Sequence, residues 1–117
     1  MPRFVVHLHH ARRKHWDLRL EMDKILKSWA VPKQPPLKKD LKRLAIQVED
    51  HRLSYIDFEG IIEEGYGKGT VEIWDKGKYD LINRKDWKIV FNLHGKKMKG
   101  EYVILKFRDK KCLLFKK

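Results

Sequence analysis

Apolar and polar residues alternate with a period of two along most of this chain, and that alternation predicts β-strands. Residues 4–9 put Phe4, Val6 and Leu8 on one side and Val5, His7 and His9 on the other. Residues 15–22 repeat the pattern, with Trp16, Leu18 and Leu20 facing one way and His15, Asp17 and Arg19 the other. Asp23-Lys24 reads as a tight connection into a third strand over residues 25–31. Pro32, Pro35 and Pro36 end that run, and residues 37–42 predict a basic connector with one helical turn. Alternation resumes over residues 43–49, with Leu44, Ile46 and Val48 inward, Arg43, Ala45, Gln47 and Glu49 outward, and His51 just past the end.

Glycines at 65, 67 and 69 predict a mobile loop by composition, a plain turn or rim loop because the spacing is not that of a phosphate-cradling Walker motif. Further strands are expected over residues 70–74, 87–93, 101–107 and 112–115, divided by turns at Lys76-Gly77 and at residues 95–100. Trp16, Trp29, Trp74 and Trp87 read mainly as core. Many short strands with almost no helical periodicity predict a mainly all-β antiparallel barrel or sandwich, and closure into a barrel would remove exposed sheet edges. At 117 residues, a single domain over 1–117 is expected, large enough to hold a core without disulfides.

Charge adds a partner class. Lysine and arginine number 28 against 16 aspartates and glutamates, a net charge of +12. The cations are spread along the chain, which favours a folded basic surface for a polyanion such as nucleic acid over a sticky tail. The lone Cys112 forbids an intrachain disulfide and fits a reducing compartment. No long apolar run marks a signal peptide or membrane span, so a soluble cytoplasmic protein without membrane partners is expected.

The candidate chemistry lies between His9 and Arg19. Any half-exposed strand shows alternation, but a second imidazole just upstream is unusual. A loop through residues 11–14 folding His9 back beside His15 would bring two imidazoles, the Asp17 carboxylate and the Arg19 guanidinium together. Such a set can hold a divalent ion next to a phosphate clamp. Nitrogen and oxygen ligands suit Mn²⁺, Zn²⁺, Co²⁺ or Fe²⁺, and ligand type alone does not choose among them. A non-catalytic nucleic-acid-binding barrel with a structural metal and a cupin-like iron oxygenase share the ligand pattern, although the basic charge argues against the oxygenase.

Taken together, four ordered blocks resemble the 3′-phosphoesterase domain of bacterial DNA ligase D and its free-standing archaeal relatives. They are residues 9–21 (His-His-Ala-Arg-Arg-Lys-His-Trp-Asp-Leu-Arg-Leu-Glu), 26–33 (Leu-Lys-Ser-Trp-Ala-Val-Pro-Lys), 43–51 with Arg-Leu-Ala and Val-Glu-Asp-His, and 55–60 (Tyr-Ile-Asp-Phe-Glu-Gly). The resemblance spans about residues 4–75, with only the strand pattern agreeing beyond. It implies a compact antiparallel β-barrel with short helical connections and an outer groove. It also implies manganese-dependent healing of DNA 3′ ends: cleavage of a terminal ribonucleoside, then removal of the 3′-phosphate to leave a 3′-hydroxyl. Expected partners are DNA or DNA/RNA primer-template ends, with ligase, polymerase and Ku-like end-joining proteins.

By position, the resemblance assigns His9, His15 and Asp17 to the metal and Arg19 and His51 to the scissile phosphate. Tyr55, Glu49, Lys33 and Arg43 fall at further groove positions, the last two linked to the terminal phosphomonoester. Three departures bear on the balance between the two steps: the chain starts close to the first strand, without the bacterial N-terminal segment; His7 stands where an amide is common; and the Gly-Tyr-Gly loop is short.

Overall fold

The computed structural model describes residues 1–65 and 67–117; Tyr66, in the Gly-Tyr-Gly stretch, lies outside the described residues. Its strands are β1 (Arg3–His10), β2 (His15–Met22), β3 (Ile25–Val31), β4 (Lys42–His51), β5 (Gly60–Ile62), β6 (Gly69–Lys85), β7 (Lys88–His94), β8 (Lys99–Arg108) and β9 (Lys111–Lys116). A single 3₁₀ turn, Leu53–Asp57, follows β4. The strands form one nine-stranded sheet in the order β1-β2-β3-β4-β9-β8-β7-β6-β5. An additional β1–β6 pairing closes it into an antiparallel ring, with Arg3 opposite Lys78 and His10 opposite Thr70.

Closure explains the burial of β1, which has a hydrogen-bonded neighbour on each edge and cover on each face. Phe4 and Val6 enter the main core with Leu18, Leu20, Trp29, Phe91 and Tyr102. Val5 faces the other way and packs with Leu26 and Ile56 beneath the 3₁₀ turn. Each large apolar side chain buried in this way contributes on the order of 1.5–3 kcal/mol. Asp23 and Lys24 carry φ of 57° and 64°, the paired left-handed geometry of a two-residue hairpin turn.

Buried Asp75 organises the β7–β8 turn. Its two carboxylate oxygens accept backbone N–H groups from Lys76, Lys96, Lys97 and Met98 at 2.7–3.1 Å.

Several expectations change. Residues 37–42 form no helical turn: Lys39 makes an isolated bridge to Lys116, and Lys42 already opens β4 opposite Phe115. Lys76-Gly77 is no turn but lies inside the long β6, where a side chain at Gly77 would collide with the His94 carbonyl. The facing expected of β4 is inverted at its start, while Glu49 is exposed as expected. Ala45 is fully buried opposite buried Cys112, whereas Leu44 is exposed. A small side chain fits the crowded interior there, and in a period-two pattern a one-residue offset turns every side chain over. Trp29 is buried and Trp16 and Trp74 are partly so, but Trp87 sits at the β6–β7 turn and is exposed.

Candidate active site

The adjoining ends of β1 and β2 bring His9 and His15 opposite one another in register, their ring centroids 4.9 Å apart. Asp17 follows His15 by two residues and so shares its face. Asp17 Oδ2 lies 3.2 Å from His15 Nε2 and 3.9 Å from His9 Nδ1. One ligand atom from each of the three residues falls within 4.8 Å of the others.

The backbone fixes the outer nitrogens of both rings. His9 Nε2 is 2.7 Å from the Gly67 carbonyl and His15 Nδ1 is 2.9 Å from that of Arg13. Because a carbonyl only accepts, each of these nitrogens carries the proton in its bond, which leaves His9 Nδ1 and His15 Nε2 to face Asp17 as ligands. The donor set and its outer anchors therefore fit a divalent ion.

Arg19 occupies the next position on the same face, at 4% exposure, so the chemical face of β2 is covered rather than solvated. Its Nε donates to His7 Nδ1 at 3.1 Å, Nη1 donates to Ser28 Oγ at 2.8 Å and lies 3.1 Å from His51 Nδ1, and Nη2 donates to Asp17 Oδ2 at 3.4 Å. The bonds to His7, Ser28 and Asp17 use three of the five N–H groups of a guanidinium; His51 Nδ1 lies within reach of both Nη1 and the Glu49 carbonyl and serves one of them, so among the described residues at least one N–H, on Nη2 beside the carboxylate, is left for an incoming anion. Here the planar fork is used to hold the side chain more than to grip bidentately.

The 3₁₀ turn lays Tyr55 over this group. The guanidinium carbon is 5.1 Å from the Tyr55 ring centre, and the ring stacks on Phe58 at 4.9 Å while contacting His51 at 4.8 Å and His7 at 5.2 Å.

Electrostatics divide the cluster. Burial would raise the Asp17 carboxyl, but the hydrogen bond from His15 and the charge of Arg19 outweigh it and the net shift is downward. The bond with Asp17 raises His15 against its burial. Burial, then Arg19, lowers His7 to about 4 and also lowers His51. Both imidazoles are thus neutral near pH 7, which disfavours a preformed His51 imidazolium. Burial likewise lowers Arg19 and raises Tyr55, but a guanidinium stays charged at neutral pH.

The structure thus gathers His9, His15, Asp17, Arg19, His51 and Tyr55. Lys33 and Arg43 instead line a separate cavity of about 220 Å³ with Pro32, Lys42 and Leu44, and Arg43 Nε donates to the Gln34 carbonyl. Glu49 enters through its backbone, whose carbonyl is 3.1 Å from His51 Nδ1. His7 and Ser28 are further members; period two from His9 points to His7, and a serine in a mostly apolar strand points to Ser28. Nothing in the sequence singles out the carbonyls of Gly67 and Arg13.

The sequence profile of the DNA ligase D 3′-phosphoesterase domain matches residues 7–106. The chain belongs to that family. It is similar to the multifunctional non-homologous end joining DNA repair protein LigD of Mycobacterium tuberculosis, at 47% identity over 108 residues, or 88% of this chain and 14% of the relative. The corresponding protein of Pseudomonas aeruginosa is 46% identical over 110 residues, 89% of this chain and 13% of the relative. That of Mycolicibacterium smegmatis is 42% identical over 123 aligned residues, 95% and 16%. The chain therefore spans about a seventh of the length of these relatives. No helix is long and apolar enough to cross a membrane among the described residues.

Proposed function

We propose that this chain is a metal-dependent DNA 3′-end-healing phosphoesterase, acting as one unit over 1–117 in the cytoplasm. It hydrolyses the phosphodiester that carries a 3′-terminal ribonucleoside and then removes the remaining 3′-phosphate, leaving a 3′-hydroxyl for repair synthesis or ligation. Membership of the phosphoesterase family supports the reaction class. The observation that carries the reading is the convergence of His9 Nδ1, His15 Nε2 and Asp17 Oδ2 beside the uncommitted N–H of Arg19.

In this reading His9, His15 and Asp17 hold Mn²⁺, with Zn²⁺ or Co²⁺ as substitutes. When bound there, the ion would supply Lewis-acid charge neutralisation and a lowered pKa for water. Arg19 donates to a nonbridging phosphate oxygen and stabilises charge as it spreads in the transition state. His51 is neutral in the free protein; an arriving phosphate favours its protonation, so it can then donate to phosphate or to the departing oxygen. Tyr55 packs over the guanidinium and directs its hydroxyl or ring toward the terminal sugar. Lys33 and Arg43 handle the terminal phosphomonoester from their neighbouring cavity, and Glu49 orients His51. Primer-template ends are the substrate, with ligase, polymerase and Ku-like activities acting on the same breaks.

The test is a primer-template ending in a single 3′ ribonucleotide, incubated with and without Mn²⁺. The expected products appear in order, first the 3′-phosphate and then the 3′-hydroxyl, and only with metal. Absent or metal-independent trimming by folded protein would overturn the reading, and salt-sensitive DNA affinity alone would leave a binding module.

A further inference from the structure

The exposed tryptophan at the β6–β7 turn marks a second site. Trp87, 51% exposed, borders a cleft of about 150 Å³ at one mouth of the ring. Trp29 and Ile104 from the core form its apolar floor. The rim is cationic. Arg84 is paired with Asp23 at 2.6 Å and Lys27 with Asp50 at 3.3 Å. Lys85, Lys88 and Lys106 make no ion pair among the described residues, and Asp86 is the acid that lines the same cleft. Lys85 Nζ also lies 5.3 Å from the centre of the Trp87 ring.

Two placements connect this cleft with the metal cluster. Asp50, the partner of Lys27, immediately precedes His51, so rim and phosphate site adjoin along β4. Met22, another lining residue, ends the strand that begins with His15. At a rise of roughly 3.4 Å per residue those ends are about 24 Å apart, a span that a short run of nucleotides covers.

We propose that the cleft binds single-stranded DNA beside the processed end, with an unpaired base stacked on Trp87 and flanking phosphates held by Lys85, Lys88 and Lys106. An exposed indole over an apolar floor with a cationic rim is the combination that takes unstacked bases and their backbone. Duplex DNA keeps its base faces stacked and offers no ring to the indole. The chain's net charge of +12 adds long-range attraction for the same ligand. The inference rests on the proposed DNA-end activity, for which the bound strand is the template beyond a recessed 3′ end.

The experiment has two arms. In the first, labelled oligothymidylate is titrated with the full chain in the presence of chelator and followed by fluorescence anisotropy. Trp87→Ala is expected to weaken binding about tenfold, Trp87→Phe to restore most of it, and Lys88→Glu to weaken it and flatten its salt dependence. In the second arm, 3′-phosphate release is compared on a blunt duplex and on one with a single-stranded template overhang. Trp87→Ala is expected to raise KM for the overhang substrate alone, with kcat on both unchanged. Equal oligonucleotide affinity for Trp87→Ala and the parent chain would overturn the inference and leave this face to a protein partner. Trp87-dependent binding without turnover of either substrate would instead overturn the enzymatic reading while upholding the strand site.

Discussion

Replacing Arg19 by lysine tests whether the fork or merely the charge is needed. The three guanidinium nitrogens meet His7, Ser28, His51 and Asp17 at 2.8–3.4 Å, Nη1 facing both Ser28 and His51, and the side chain is 4% exposed. An ammonium places its donors around one atom and cannot meet partners on opposite sides of the group. Arg19→Lys therefore keeps a charge near Asp17 but strands at least one buried acceptor among His7 Nδ1 and Ser28 Oγ. Each such orphan costs about 1–3 kcal/mol. For a chain of this length the folded state holds roughly 6–18 kcal/mol in all, and a loss of about 1–3 kcal/mol lowers Tm by about 4–12 °C. Losing the donor beside Asp17 also costs about 10²–10³ in kcat. Arg19→Met goes further, because it leaves the buried carboxylate without its cation, a loss of about 3–5 kcal/mol. Urea denaturation read by tryptophan fluorescence measures stability, and 3′-phosphate release well below each variant's Tm measures turnover. The expected order of stability is parent, then lysine, then methionine. A lysine variant with the parental urea midpoint and turnover within a few-fold would refute the claim that the fork positions this site.

Three further outcomes are expected. His15 is held protonated to a higher pH than an ordinary histidine by its bond to Asp17, so a metal must displace that proton, and Mn²⁺ affinity should fall as pH drops through the raised value; calorimetry at several pH values checks this, and a flat profile contradicts it. His7 titrates at about 4 when folded against 6.5 in the unfolded chain, so the unfolded state binds more protons between those values and stability declines as pH falls from about 6.5 to about 4. The decline amounts to roughly 3 kcal/mol at most, and urea midpoints of His7→Gln should lose that component. Asp75→Ala frees buried or half-buried backbone donors of Lys76 in β6 and of the β7–β8 turn and should lower stability by about 2–4 kcal/mol, with Mn²⁺ affinity of the folded protein unchanged; weakened metal binding would show that the turn supports the cluster.

Local periodicity was sufficient to place His15, Asp17 and Arg19 on one face, because two residues separate neighbours on any strand. It could not show that this face is buried. The cover comes from Tyr55 on the 3₁₀ turn and from β1, which gains its second neighbour only when residue 10 meets residue 70. Long-range closure of that kind leaves no mark in a short window of sequence. The facing of β4 failed for a related reason: residues 43–49 carry apolar side chains at both parities, Ala45 and Leu44 among them, and the choice is made by the partner strand bearing Cys112. Gly77 misled because a glycine demanded by a close backbone approach looks the same in sequence as one demanded by a turn. Trp87 misled because its aromatic bulk suggests burial, whereas its hairpin position leaves it exposed.

The carbonyl of Gly67 carries one more consequence. It sets which nitrogen of His9 is offered to the cluster, and it does so from the main chain, which no side-chain replacement can delete. If His9 ligates an ion as proposed, the nitrogen it offers is consequently governed by the backbone position of Gly67, in the segment between β5 and β6. Lengthening or shortening that segment should retune ion preference even when every ligating side chain is retained, making loop length a control on metal selectivity separate from residue identity.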